Sequence, residues 1–476
     1  MMPVIKTKIL PLGKGRAPCD DRVDAIQNLR TAVAMPDTYD LALTGADVVT
    51  PWGRHALDIG IAQGRIAHLG TLAPGAARET IACHGLTILP GVIDSQVHFR
   101  EPGPTHKEDL ETGSRAAVLG GVTAVFEMPN TNPPTTTAAA LDEKLALARG
   151  RMWCDHAFYV GAEKGNAAAL RDLEVRPGAA GVKVFMGSST GNLLVDDDAH
   201  VREVLRNGRR RVAVHAEDEA RLIARKALAL AGQPQTHPVW RDAEAARLCT
   251  ERLLKLARET RRRVHVLHVS TGDELPLLAN AKDIATAETT PHHLTLTAPD
   301  CYERLGTYAQ MNPPVRDKAH QDALWVGVRQ GVIDVLGSDH APHTHEEKDK
   351  GYPNTPSGMP GVQTLVPVML THVAAGRLSL ERFADLVAHG PQRIFGLAGK
   401  GRIALGYDAD FTIVDLKARR RIENRWIASR CGWSPYDGFE ATGWPIMTMI
   451  RGRIVMRDDQ VLGTAHGQPL RFLEAL

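Results

Sequence analysis

Several things are scarce in this chain, and each scarcity removes a class of function. Aromatic residues make up only 5% of the 476 positions, and no window approaches a long uncharged apolar run. A membrane-spanning helix is therefore not expected, and the N-terminus lacks the apolar core of a secretory signal. Six cysteines (Cys19, Cys83, Cys154, Cys249, Cys301 and Cys431) stand apart with no Cys-x-x-Cys pair. That pattern fits neither a disulfide framework nor a thiolate zinc site, and cytoplasmic placement is the expectation. An excess of charge of one sign is also missing. The 57 Lys and Arg nearly balance the 55 Asp and Glu, so neither nucleic acid nor a membrane surface is an expected partner. The basic runs 209–211 and 261–263 close helical segments, where cations suit the helix dipole. No internal repeat and no low-complexity tract interrupts the chain.

What is present divides into three textures. Residues 1–37 are a basic, Pro- and Gly-containing extension with little periodicity. Residues 38–89 and 396–476 carry short β segments between Gly and Pro turns, expected to form one composite β-sandwich from both chain ends. Residues 90–395 alternate strand and helix. Eight apolar runs are predicted as strands: 92–98, 123–128, 156–160, 181–186, 211–215, 263–268, 284–290 and 333–337. Eight βα units in about 300 residues predict an α/β fold of the (β/α)8 TIM-barrel type.

Polar residues recur where those strands end. The stretch GVIDSQVHFREPG, from Gly91 to Gly103, places Asp94, Gln96, His98 and Arg100 on one face of an extended chain. The second strand ends near Asn130, the fourth carries Lys183, and the fifth, sixth and eighth end at His215, His268 and Asp339. A single histidine at a strand end is usually a hydrogen-bonded core residue. Three on separate strands, with an aspartate on a fourth, suit a divalent metal such as zinc. Lys183 lies among apolar neighbours in Gly-Val-Lys-Val-Phe. It could reach toward the barrel mouth, form a Schiff base at a lowered pKa, or take up CO₂ to become an anion bridging two metals. Asp339 could bind metal and shuttle a proton between water and a leaving nitrogen. Arg100, Asn130, Asn312 and His343 suit the carboxylate and amide of a small anionic substrate. His292 and His293 are placed behind these groups. The charged, Gly- and Pro-containing loop 344–361 is long enough for a mobile cover.

The motifs VHFREPG, GGVTAVFEMPNTNP, GVKVFMGSSTG, VHAEDE, LHVSTGDE, TPHHL, MNPPVR, GSDHAPH and SGMPG occur in order between residues 91 and 361. Together they resemble those of dihydroorotases in the cyclic-amidohydrolase superfamily. The resemblance implies a zinc enzyme of pyrimidine synthesis that interconverts N-carbamoyl-L-aspartate and L-dihydroorotate. It implies two zinc ions, one held by His98 and Asp339 and the other by His215 and His268, with carbamylated Lys183 between them. Arg100 and Asn130 would hold the substrate carboxylate, with Asn312 and His343 as further contacts. Metal-held hydroxide would attack the ring amide, and Asp339 would carry the proton. One position departs from the family pattern. Most members carry His-x-His on the first strand, whereas Gln96 here offers a neutral amide, a weaker zinc ligand than imidazole. The alternatives are a hydantoinase- or allantoinase-type ring hydrolase and a catalytically silent scaffold for aspartate transcarbamoylase. A homo-oligomer is expected, with aspartate transcarbamoylase as a candidate companion.

Overall fold

The computed structural model describes residues 38–189 and 193–473. The predicted extension 1–37 lies outside the described residues. The chain enters through β1 (Tyr39–Thr50), β2 (Gly53–Ala62), β3 (Arg65–Gly70), β4 (Ala77–Ala82) and β5 (Thr87–Pro90). The central part then supplies eight strands: β6 (Val92–Val97), β7 (Val122–Glu127), β8 (Asp155–Gly161), β9 (Ala179–Phe185), β10 (Val212–His215), β11 (Val264–Val266), β12 (Ala285–Thr289) and β13 (Val335–Leu336). They pair in parallel and in chain order. A parallel bridge between Val97 and His340, just past β13, brings the ends of the ring together.

These eight strands are buried throughout. That is the pattern of parallel strands covered on both faces, and it explains why they read as apolar runs without alternation. The surrounding helices start where side chains cap them. Asp109 accepts from Thr112 N to open helix Leu110–Leu119, and Asp242 opens helix Ala243–Thr260, which stops at the left-handed Arg261. Asp317 and the left-handed Gly331 bracket helix Lys318–Gln330 in the same way.

The last part of the chain adds β14 (Phe411–Arg421), β15 (Glu440–Ile450), β16 (Arg453–Arg457) and β17 (Gln460–Val461). β14 pairs antiparallel with β5, so strands from both ends share one nine-stranded sheet. The sheet is mixed, because β1 runs parallel to both β4 and β5. Its own core includes Leu43, Val48, Ile59, Ile88, Phe411 and Met449. This sheet meets the barrel directly: Thr412 Oγ1 donates to Gly121 O and accepts from Val92 N at 3.1 Å. Among the described residues, no helix is long and apolar enough to cross a membrane.

Candidate active site

The C-terminal ends of the barrel strands converge on a cleft of about 360 Å³. It is lined by Gln96, His98, Arg100, Asn130, Lys183, His215, His268, Asn312 and Asp339. The sequence separates the first and last of these by more than 240 positions; the barrel brings them together because all but Asn312 lie near the C-terminal end of a barrel strand or just beyond it. Backbone strain gathers here as well. Arg100, His268 and Asp339 have φ of +63°, +36° and +47°. Left-handed backbone at residues other than glycine costs energy that surrounding contacts must offset, and it concentrates at functional sites.

The metal-type side chains form two pairs. His98 Nδ1 lies 2.8 Å from Asn130 Oδ1, which can only accept, so the ring proton sits on Nδ1. Its bare Nε2 then faces Asp339 Oδ1 at 3.2 Å. Burial lowers the His98 pKa, keeping the ring neutral. In the second pair, His215 Nδ1 and His268 Nε2 are 3.0 Å apart. Burial lowers both pKa values, that of His268 strongly. His215 Nε2 lies 3.0 Å from Glu217 Oε2, close but not in line for a good hydrogen bond. Glu217 is itself clamped by Arg241. Burial works against the Glu217 carboxylate, but Arg241 and His215 outweigh it and hold its pKa low.

Lys183 is within electrostatic reach of both pairs, since its charge depresses His98, His215 and His268 alike. Burial pulls its own pKa down to about 7. A useful fraction is therefore the neutral amine, the form able to take up CO₂.

Among the described residues, no three His, Cys, Asp or Glu side chains close on a single point. The donors nevertheless suit divalent metal. In the first pair two acceptors face each other, and in the second two neutral imidazole nitrogens do. His268 Nδ1 and Gln96 Oε1 are buried without a hydrogen-bond partner among the described residues. A cation would relieve the facing acceptors of the first pair, and in the second it would take the place of the hydrogen bond between the two rings. Gln96 itself turns its amide nitrogen to Asp339 Oδ1, 3.0 Å away.

Arg100 is 3% exposed and makes no ion pair among the described residues. Its Nε donates to Pro342 O at 3.3 Å, and Nη2 lies 3.3 Å from His343 Nε2. Burial pulls its pKa down to about 10. His343 does not line the cleft. It lies behind Arg100, wedged between that guanidinium, Lys107 Nζ at 3.1 Å and Glu347 at 3.4 Å. Asn312 Oδ1 is 3.0 Å from His237 Nε2, which leaves the Asn312 amino group to face elsewhere. His292 and His293 sit behind the cleft, against Tyr436 and Pro313 O. The loop expected to be a mobile cover, 344–361, folds around a buried lysine. Its helix His345–Lys348 buries Lys348, whose Nζ donates to the carbonyls of Gln310, Pro356 and Gly358 at 3.0–3.3 Å.

Sequence reasoning gave no role to Ser189, Phe185, Ser357 or Gly358, which also line the cleft. It also passed over Glu217 and Glu288. Glu217 follows His215 by two positions, the spacing of one strand face, and could have been found that way. Glu288 could not: it lies within an unremarkable strand, β12, yet its carboxyl sits inside the barrel with Ser95 Oγ donating to it. A Cβ on Gly337 would come within 2.5 Å of Glu288 Cδ, so the glycine makes room for that acid. Burial raises the Glu288 pKa to about 8.

Comparison with known proteins finds relatives over most of the chain. Residues 87–455 match the model of the amidohydrolase family. The dihydroorotase of Methanothermobacter thermautotrophicus is 36% identical over 410 residues, covering 85% of this chain and 92% of that protein. The allantoinase of Deinococcus radiodurans is 35% identical over 451 residues, covering 91% of this chain and 99% of its own length. Among solved structures, L-hydantoinase (dihydropyrimidinase) from Arthrobacter aurescens superposes with a TM-score of 0.87. It is 32% identical, over 91% of this chain and 100% of that one.

Proposed function

Because this chain belongs to the amidohydrolase family and acts on cyclic amides, we propose that it is a dihydroorotase, interconverting L-dihydroorotate and N-carbamoyl-L-aspartate. The observation that carries the choice is Arg100, a buried cation in the cleft with no carboxylate partner among the described residues. Dihydroorotate brings a ring carboxylate to such a group. Hydantoin and allantoin rings bring none, and a desolvated arginine without an anion would be a cost with no return.

Two zinc ions belong to the same proposal, one held by His98 and Asp339 and the other by His215 and His268, with Lys183 carbamylated between them. Metal bound there supplies Lewis acidity and a water of lowered pKa. The chain's own residues do the rest. Arg100 grips the substrate carboxylate, and Asn130 and Asn312 orient the ring by hydrogen bonds. Gln96 and His98 both approach Asp339 at Oδ1, which leaves Oδ2 for proton transfer. In hydrolysis the oxygen of water bonds to the ring carbonyl carbon and the carbon–nitrogen bond breaks. Asp339 moves one proton of that water to the departing nitrogen, and the new carboxyl group releases the other to solvent, yielding a carboxylate and a ureido group.

A second reading, opening of an uncharged ring, draws on the allantoinase and hydantoinase relatives, which each cover 91% of this chain. One experiment separates the readings. The zinc- and bicarbonate-supplied protein is assayed side by side on dihydroorotate, allantoin and a 5-substituted hydantoin. A kcat/KM on dihydroorotate at least tenfold above the others supports the proposal, and the reverse order overturns it. No turnover of any ring would favour the silent scaffold for aspartate transcarbamoylase.

A further inference from the structure

The two halves of the cleft differ in ways that bear on how firmly each holds a cation. The His215–His268 half offers two neutral imidazoles. Behind it stands the Glu217 carboxylate, 3.0 Å from His215 Nε2. A carboxylate behind a histidine orients it and raises its basicity as a ligand, while Arg241 balances the charge of this one. The other half offers one imidazole and one carboxylate. Its third position, Gln96, uses its amide as a hydrogen-bond donor to Asp339 Oδ1, the same oxygen that faces His98 Nε2. That donor already satisfies part of the carboxylate's acceptor capacity, so a cation there competes with it.

The Gln96 oxygen has no partner among the described residues, and turning the amide over would bring it to the Asp339 side in place of the nitrogen. That turn would forfeit a hydrogen bond to a charged acceptor for a ligand weaker than imidazole. The fixed charge of Arg100 also lies within electrostatic reach of His98 and Asp339, where it repels a dication. On the opposite side the Arg241 charge is balanced by Glu217, so it is not an unpaired cation facing the metal position.

We propose that the two metal positions are unequal: the His215–His268 position holds its ion firmly, and the His98–Asp339 position exchanges its ion readily, because Gln96 donates to Asp339 instead of ligating metal. This rests on the reading of the cleft as a two-metal centre. Its consequence is a protein that retains one ion through purification and takes up the second only at raised free metal. Occupancy of the weaker position, and with it activity, would then follow the free-zinc concentration.

The test is equilibrium dialysis of the full chain against buffered zinc, with bound metal counted by elemental analysis and cobalt substitution read by its visible spectrum. The wild type should bind in two steps separated at least tenfold in Kd. Gln96→His, which supplies the missing imidazole, should tighten the weaker step at least tenfold and leave the tighter one within threefold. Gln96→Ala, which removes the competing donor to Asp339 without supplying a ligand, should leave the weaker step unchanged or tighter and the tighter one within threefold of wild type. Two indistinguishable steps in the wild type would overturn the proposal. So would a tenfold loss of the weaker ion in Gln96→Ala, since that would make Gln96 a ligand. Failure to bind zinc at any concentration would instead remove the two-metal reading itself, and the proposal with it.

Discussion

Two clusters of buried charge lie at opposite ends of the barrel, and they are built on opposite principles. At the N-terminal end, Lys400 is enclosed by Asp155, Asp408 and Asp410, the Asp408 contact being 3.0 Å. Arg451 closes on Asp155 from the neighbouring sheet. Burial opposes the Lys400 charge, but the three carboxylates outweigh it and hold its pKa above the ordinary lysine value. At the C-terminal end, Arg100 and Lys183 are just as buried, yet neither forms an ion pair among the described residues. Burial draws their pKa values down to about 10 and about 7. Charge that is paired on burial ties two parts of a fold together. Charge left unpaired costs stability, and that cost is retained where a ligand completes the pairing.

The comparison can be broken at either end. The largest effect is expected at the cleft. Asp339→Asn should lower kcat by about 10²–10⁴-fold, the usual size for a lost proton carrier, with little change in KM. Near-normal turnover in steady-state kinetics would remove Asp339 from that role.

A matched pair of substitutions comes next. Lys400→Met removes the cation shared by three carboxylates, leaving Asp155 to Arg451 and Asp408 to Arg65 but Asp410 with no ion pair among the described residues. It should cost about 3–5 kcal/mol in denaturant unfolding, while kcat per folded molecule stays near wild type. In the metal-free protein Lys183→Met removes an unpaired cation, so it should leave stability there unchanged or raised, and with zinc supplied it should abolish turnover. If Lys183→Met destabilises as much as Lys400→Met, the distinction between the two clusters fails.

Arg100→Ala should raise KM for dihydroorotate about 10–100-fold, the worth of one charge-assisted contact, and change hydrolysis of an uncharged ring far less. An unchanged KM would argue against the clamp.

The smallest effect concerns Glu288, a buried acid that the barrel keeps protonated. Its folded pKa of about 8 stands above the ordinary value of 4.5, so the folded state binds a proton that the unfolded chain releases. Its contribution to stability is therefore full below pH 4.5 and declines as pH rises toward 8. Glu288→Gln, which keeps the shape and cannot ionise, should flatten that part of the stability profile. An unaltered slope between pH 5 and 8 would show that Glu288 is ionised in the fold.

Much of this was legible one residue at a time. The predicted strand 156–160 lies inside β8 (Asp155–Gly161), and predicted 92–98 overlaps β6 (Val92–Val97). Burial on both faces makes such strands continuous apolar runs that stand out from their flanks. The cleft side chains were legible because metal-type residues at the ends of apolar runs are unusual and recur in register with the barrel. Other features depend on neighbours remote in the chain. Lys348 sits in a charged, Gly- and Pro-containing loop and reads as solvent-exposed; only the fold of that loop on Gln310, Pro356 and Gly358 makes it an anchor. His343 reads as a substrate contact from its place in the GSDHAPH motif, and it lies behind Arg100 because the chain turns there.

The sequence by itself determined the βα count, the strand ends that carry chemistry and the family those motifs belong to, since periodicity and motif order are properties of a linear chain. Tertiary structure alone decided which buried charges are paired, which way Gln96 turns its amide, and which histidine faces the cleft and which stands behind it. Those outcomes depend on distances of a few ångströms between residues up to hundreds of positions apart, and on desolvation that exists only once the core has closed.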